Sequence, residues 1–278
     1  MGLIFYKMCG MISVMPRFFL PRAEGGLIRA GKTAGIPERT YGGGEKKMLI
    51  LGFQKLTLLD YPEHTACTVF TGGCNLRCPF CHNALLVTDI EADEAMEEEE
   101  IFAFLEKRKK LLDGVAVTGG EPLLQKGLEE FLRKVKAMGY AVKLDTNGFF
   151  PDRLKAIVEE GLADYVAVDI KNTPEKYEET TGISGLDLSP LEKTIAFLKE
   201  DHVPYEFRTT VVREFHEVKD FDVMGAWIGK ARRWYLQKFV DSGYLIGENL
   251  SAPPKAELLQ MLEIARKYAD IAELRGVD

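Results

Sequence analysis

From residue 48 onward, short apolar runs alternate with longer amphipathic stretches. Six runs read as buried strands: "TACTVFT" (65–71), "GVAVTGG" (114–120), "AVKLDTNG" (141–148), "YVAVDIK" (165–171), "YEFRTTVV" (205–212) and "RWYLQKF" (233–239). Helical spacing of apolar positions runs over about 94–112, 126–138, 151–160, 189–200 and 218–231, with a last helix near 254–269. Strand, helix, strand with few hairpin signals predicts a parallel sheet with right-handed crossovers. Six strands at this spacing predict an α/β fold, an incomplete (β/α)6 TIM-like barrel. No linker-like stretch divides 48–278, so that span is expected to be one domain.

In such folds the chemistry lies beyond the carboxyl ends of the strands, and the ends of these runs are polar. Thr71-Gly72-Gly73 closes the first run and leads into Cys74. Thr118-Gly119-Gly120-Glu121 closes the second and Asp145-Thr146-Asn147-Gly148 the third. Asp169 and Lys171 end the fourth, Arg208 to Thr210 the fifth, and Gln237 and Lys238 the sixth. Six strand ends that aim polar groups at one face predict a site there.

Composition changes the picture at the start of the chain. Residues 1–47 hold eight Lys/Arg against three Glu, whereas the whole chain carries a net charge of -7. That stretch is glycine-rich and shows no sustained pattern. It reads as an N-terminal extension, either disordered or the product of a start upstream of Met48. The acidic balance argues against nucleic acid, whose phosphates call for a basic surface. No apolar run reaches the roughly 18 residues of a membrane helix. Five cysteines, three of them bunched, do not make a secreted disulfide framework. Free thiols in a reducing cytoplasm are the expectation. The acidic run 91–100 reads as the solvated start of a helix.

The bunched cysteines are Cys74, Cys78 and Cys81, spaced C-x3-C-x2-C in the loop after the first strand. Thiolates suit zinc, copper(I) and iron–sulfur clusters. A structural zinc would need a fourth ligand, for which His82 and Cys67 are the candidates. A [4Fe–4S] cluster held by three cysteines leaves one iron open, and an open position marks a catalytic site.

The spacing C-x3-C-x-aromatic-C, with Phe80 as the aromatic, resembles the signature of the radical S-adenosylmethionine (SAM) enzymes. The resemblance implies a [4Fe–4S] cluster on Cys74, Cys78 and Cys81, with SAM chelating the open iron. It implies that Gly119, Gly120 and Glu121, a GGE motif, meet the methionine ammonium, and that Phe80, Asp145, Asn147, Lys171 and Arg208 lie among the cosubstrate contacts. Arg208 could equally pair with a neighbouring aspartate. The landmarks "GFQKLTLLDYPE", "FTGGCNLRCPFCHN", "VTGGEP", "KLDTNG", "YVAVDIK", "KYEETTG" and "YEFRTTVV" extend the resemblance over 49–240. They are similar to the glycyl-radical-enzyme activating branch, in particular to anaerobic ribonucleoside-triphosphate reductase activating proteins and pyruvate formate-lyase activating enzyme. That branch implies a monovalent cation on Asp145, Thr146 and Asp169. It also implies reduced flavodoxin or ferredoxin as electron donor, and a partner enzyme whose glycine loses an α-hydrogen to a 5′-deoxyadenosyl radical. A radical enzyme acting on a small molecule and a zinc-stabilised binding protein are the competing readings.

Overall fold

A computed structural model of the chain describes residues 47–90 and 95–277. The expected extension, over 1–46, and the first four residues of the acidic run, 91–94, lie outside the described residues. One eight-stranded sheet runs in chain order from β1 to β8. Its strands are β1 (Ile50–Thr57), β2 (Ala66–Thr71), β3 (Gly114–Gly119), β4 (Ala141–Thr146), β5 (Tyr165–Asp169), β6 (Tyr205–Val211), β7 (Ala231–Lys238) and β8 (Ala269–Arg275). β1 pairs antiparallel with β2, and every later pair is parallel. The outer strands β1 and β8 do not pair with each other, so the barrel stays open.

The helices are α1 (Ala84–Thr88), α2 (Glu98–Glu106), α3 (Leu128–Ala137), α4 (Pro151–Glu159), α5 (Tyr177–Thr181), α6 (Ser189–Lys199), α7 (Asp220–Ile228) and α8 (Lys255–Tyr268). They form six crossovers between successive parallel strands. α3 shows why: Leu128, Phe131, Leu132 and Val135 make one buried face. Its first turn holds Glu129 and Glu130 and its last holds Lys134 and Lys136, each sign matched to the helix dipole.

Six of the strands stand where the apolar runs placed them. β1 and β8 are additions, and each evades periodicity for a reason. β1 is an edge strand with two register shifts and mixed burial, so it neither alternates nor stays apolar. β8, "ADIAELR", has helix-forming composition and follows α8 without a loop. Pairing with β7, from Ala231↔Ala269 to Gln237↔Arg275, decides its conformation instead. The predicted helix over 94–112 shortens to α2. Glu98 there is buried and accepts the main-chain N–H of Met48 at 2.9 Å, so part of the acidic run anchors the entry to β1 rather than facing water.

Each central strand is buried on both faces, but the faces differ. Val115, Val117, Val142, Leu144, Val166, Val168 and Phe207 point toward the helices and join the main core. Their neighbours Lys143, Asp145, Asp169, Glu206 and Arg208 point into the barrel. Side chains alternate along a strand, so the apolar runs conceal a polar interior.

Candidate active site

At the carboxyl ends of the strands lies a cavity of about 360 Å3. Its lining includes Cys74, Cys78, Cys81, Gly119, Gly120 and Lys171, together with Thr210, Gln237, Lys238 and Arg275 from β6, β7 and β8. The three cysteines share one loop after β2 and are held from three sides. Arg77 folds back to donate to the carbonyls of Cys74 (2.6 Å) and Leu76 (2.8 Å). Its N–H reaches the carbonyl of Thr181 at the end of α5. Gly182 follows with φ 69°, and a Cβ there would lie 2.5 Å from the Arg77 carbonyl oxygen. Glycine is the residue that permits this contact. On the third side, the N–H of Gly247 donates to the carbonyl of Pro79 at 2.7 Å. Phe239, Leu245 and Leu250 then pack with Leu76, Cys78 and Phe80 in a small apolar cluster.

Burial pushes the thiols of Cys74 and Cys78 up to about 12 and that of Cys81 to about 11. The charges of the three thiols act on one another, and Lys171 opposes the rise in each. Thiols placed so deeply ionise only against a strong positive partner. Main-chain N–H of Leu76 (3.4 Å) and the Asn147 amide (3.7 Å) both point at the Cys74 sulfur.

Neither proposed fourth zinc ligand reaches this set. Cys67 lies fully buried in β2 within the main core. The Nε2 of His82 is bonded to the carbonyl of Val240 at 2.8 Å, and its ring stacks on Phe239. Among the described residues no three His, Cys, Asp or Glu side chains converge closely enough to share one ion.

The GGE segment has a different geometry from the one expected. A Cβ on Gly120 would fall 1.9 Å from the Gly73 carbonyl oxygen, and one on Gly119 would meet the Thr71 backbone at 2.3 Å. These glycines are demanded by main chain crossing main chain, although both also line the cavity. Glu121 is buried and absent from the cavity wall. Its carboxylate accepts from Leu123 N–H (3.0 Å), the Thr146 hydroxyl (2.8 Å) and Asn147 N–H (2.7 Å). Burial nonetheless raises its pKa to about 7. Glu121 therefore ties the end of β3 to the turn after β4, and Asn147 passes the connection on to Asn75 at 2.7 Å.

Asp145 and Asp169 do face one pocket, and the chain neutralises them with its own cations. Asp145 pairs with the buried Lys143 on one oxygen and with Arg208 on the other, at 2.8 Å. Arg208 continues to Asp169 (3.0 Å), whose second oxygen takes Lys171 at 2.9 Å. Burial opposes ionisation of both carboxylates, and the adjoining cations overcome it and hold them below the usual range. Arg208 thus has its two aspartates as partners. Thr146, turned toward Glu121, does not join them. Each carboxylate oxygen of Asp145 and Asp169, two of the three residues expected to hold a monovalent cation, already takes one donor from a lysine or arginine.

The radical SAM superfamily profile matches residues 68–221. The chain belongs to the radical SAM superfamily. A Methanocaldococcus jannaschii protein provisionally named a glycyl-radical enzyme activating enzyme is 32% identical over 238 residues, covering 84% of this chain and 98% of that protein. A GTP 3′,8-cyclase of Aquifex aeolicus is 32% identical over 163 residues, 55% of this chain and 49% of the cyclase. Among solved structures, a radical SAM methyltransferase from Sphaerobacter thermophilus superposes with a TM-score of 0.60 at 13% identity, over 77% of this chain and 67% of that one. This last likeness concerns the fold.

Membership in the radical SAM superfamily implies a [4Fe–4S] cluster and SAM, and the residues present fit both. Three soft thiol donors from one loop open onto one cavity, the donor set of an iron–sulfur cluster. Asn83 adds a second indication. Its amide donates to the Gly119 carbonyl at 2.9 Å, while its Oδ1 is buried without a partner at the cavity wall. A buried acceptor left unpaired is costly and calls for a donor from a ligand. Sequence reasoning missed Asn83, Lys143 and Arg275. The signal for Lys143 was a lysine inside an apolar strand, two positions before Asp145 and so on its face. Arg275 was hidden because β8 itself was.

Proposed function

We propose that this radical SAM enzyme activates a glycyl radical enzyme, removing an α-hydrogen atom from one glycine of its partner. The supporting observation is coverage: the similarity spans 98% of the relative provisionally named for this activity but only about half of the GTP cyclase. Anaerobic ribonucleoside-triphosphate reductase is the first partner to test, with reduced flavodoxin or ferredoxin as the electron source.

In this reading Cys74, Cys78 and Cys81 hold the cluster, and Phe80 closes its apolar side. The bound cofactors supply reductive formation of a carbon radical able to take a hydrogen atom. The chain supplies placement and shielding. Asn83 offers its unpaired oxygen to the cosubstrate ammonium, and Gly119 and Gly120 shape the adjoining wall. Glu121 and Asn147 act behind them by fixing the cysteine loop. Lys171 and Arg208 present positive charge to the cosubstrate carboxylate, with the two aspartates setting their positions. The ladder Lys143–Asp145–Arg208–Asp169–Lys171 carries one excess positive charge, which suits an anionic group. The segment around Gly247 excludes water from the cysteine loop.

The test is anaerobic reconstitution with iron, sulfide, SAM and dithionite, followed by addition of the reductase. A glycyl doublet in the electron paramagnetic resonance spectrum is expected. Formation of 5′-deoxyadenosine with no doublet from any glycyl radical enzyme of the same genome would refute the partner class and retain radical chemistry.

A further inference from the structure

The part of the cavity wall formed by β6, β7 and β8 has no task in the reading above. Thr210, Gln237 and Arg275 form a row across β6, β7 and β8, because Thr210 pairs in register with Gln237 and Gln237 with Arg275. All three line the cavity. The side chains of Thr210 and Gln237 have no hydrogen-bond partner among the described residues. Arg275 is pre-set: its guanidinium lies 3.5 Å from the centre of the Tyr235 ring and bonds both oxygens of Glu206 at 3.3 Å. Glu206 is fully buried and is held in turn by the Tyr165 hydroxyl at 3.0 Å.

The charge state of this wall limits what it can receive. Lys171 and Arg208 are assigned above to the cosubstrate carboxylate, and Arg275 is paired with Glu206. Lys238 is then the one lysine or arginine on the cavity without an ion-pair partner among the described residues. A polyphosphate carries several negative charges and would need several uncommitted cations, ideally forked arginines. The row instead offers groups that both give and accept, a hydroxyl and a primary amide. These complement the N–H and C=O of a main chain.

We propose that Thr210, Gln237 and Arg275 form a substrate subsite for an extended peptide main chain, which they hold in the cavity shared with the cysteine loop. The subsite rests on the glycine reading above only for which atom is presented. Gln237 pairs with one peptide unit through its amide, Thr210 with the next, and Arg275 donates to a carbonyl. Lys238 sits at the rim, where an acidic residue of the peptide is favoured.

The full chain, reconstituted anaerobically with iron and sulfide and supplied with SAM and dithionite, is tested against N-acetylated, C-amidated nonapeptides randomised around a central dideuterated glycine. GTP serves as the polyphosphate probe. Peptides are expected to be retained in affinity selection and to pass deuterium into 5′-deoxyadenosine, and GTP in hundredfold excess is expected to displace none. For the best retained peptide, Gln237→Leu and Thr210→Val should each raise KM at least tenfold, the loss falling on KM rather than kcat. Retention that ignores both substitutions, or displacement by GTP, would overturn the subsite. Peptides retained in a Gln237-dependent way without deuterium transfer would support the subsite and overturn the glycine reading instead.

Discussion

Glu121 accepts the main-chain N–H of Asn147 at 2.7 Å, a bond that joins the end of β3 to the turn after β4 behind the cavity. Burial raises the Glu121 carboxyl from its ordinary 4.5 to about 7 despite three donors. A raised acid is stabilising when protonated, so its contribution is complete below pH 4.5 and is lost as pH rises through 7. The stability gap between the native chain and Glu121→Gln is therefore expected to narrow from pH 4.5 to 7.5. Thermal unfolding of both proteins across that range checks it. A gap that widens with pH would show that the three hydrogen bonds, not burial, dominate.

The ion ladder predicts asymmetric mutational costs. Asp145→Leu leaves Lys143 and Arg208 buried with one partner too few, and such losses run to about 3–5 kcal/mol. Adding Lys143→Met removes one stranded charge and should recover a substantial part. Urea unfolding of the single and double variants measures the coupling. Asp145 and Asp169 titrate below their ordinary 3.8, so their contribution is present above about pH 4 and lost as pH falls further.

Two glycines after α5 provide an internal control. Gly182 and Gly185 both have left-handed backbone, at φ 69° and 67°. A Cβ on Gly185 meets nothing within 4 Å, so Gly185→Ala should cost only the conformational strain, about 1–2 kcal/mol. Gly182→Ala adds collision with the Arg77 carbonyl. It should destabilise more and also lower iron bound per chain, because Arg77 braces the cysteine loop. Equal iron content in the two variants would show that this brace does not position the thiols.

Cysteine substitutions should divide three to one. Cys74→Ala, Cys78→Ala and Cys81→Ala are each expected to abolish the brown absorbance after reconstitution. Cys67→Ala should retain it, since that side chain lies in the core away from the cavity. Iron and sulfide assays on the four proteins decide the matter. Loss of the cluster in Cys67→Ala with an intact fold would contradict the ligand assignment.

Much of this protein was legible in linear order because its informative features are local. Six apolar runs marked β2 to β7, and a spacing of three and two residues between thiols pointed to a shared metal centre. Polar residues at successive strand ends located the site, since a parallel sheet brings all those ends to one side. Partnerships were not legible, because they join residues far apart in the chain. The bonds of Glu121 to Asn147 and Thr146 are one case, since only the folded backbone brings those residues to it. That Lys143, Arg208 and Lys171 each reach an oxygen of Asp145 or Asp169 was set by packing. Arg275 came into view only when β7 imposed strand geometry on a helix-prone segment. Local chemistry specified which groups the chain owns; burial and sheet register determined which of them were already satisfied and which, like Gln237 and Asn83, were left with hydrogen bonds to offer.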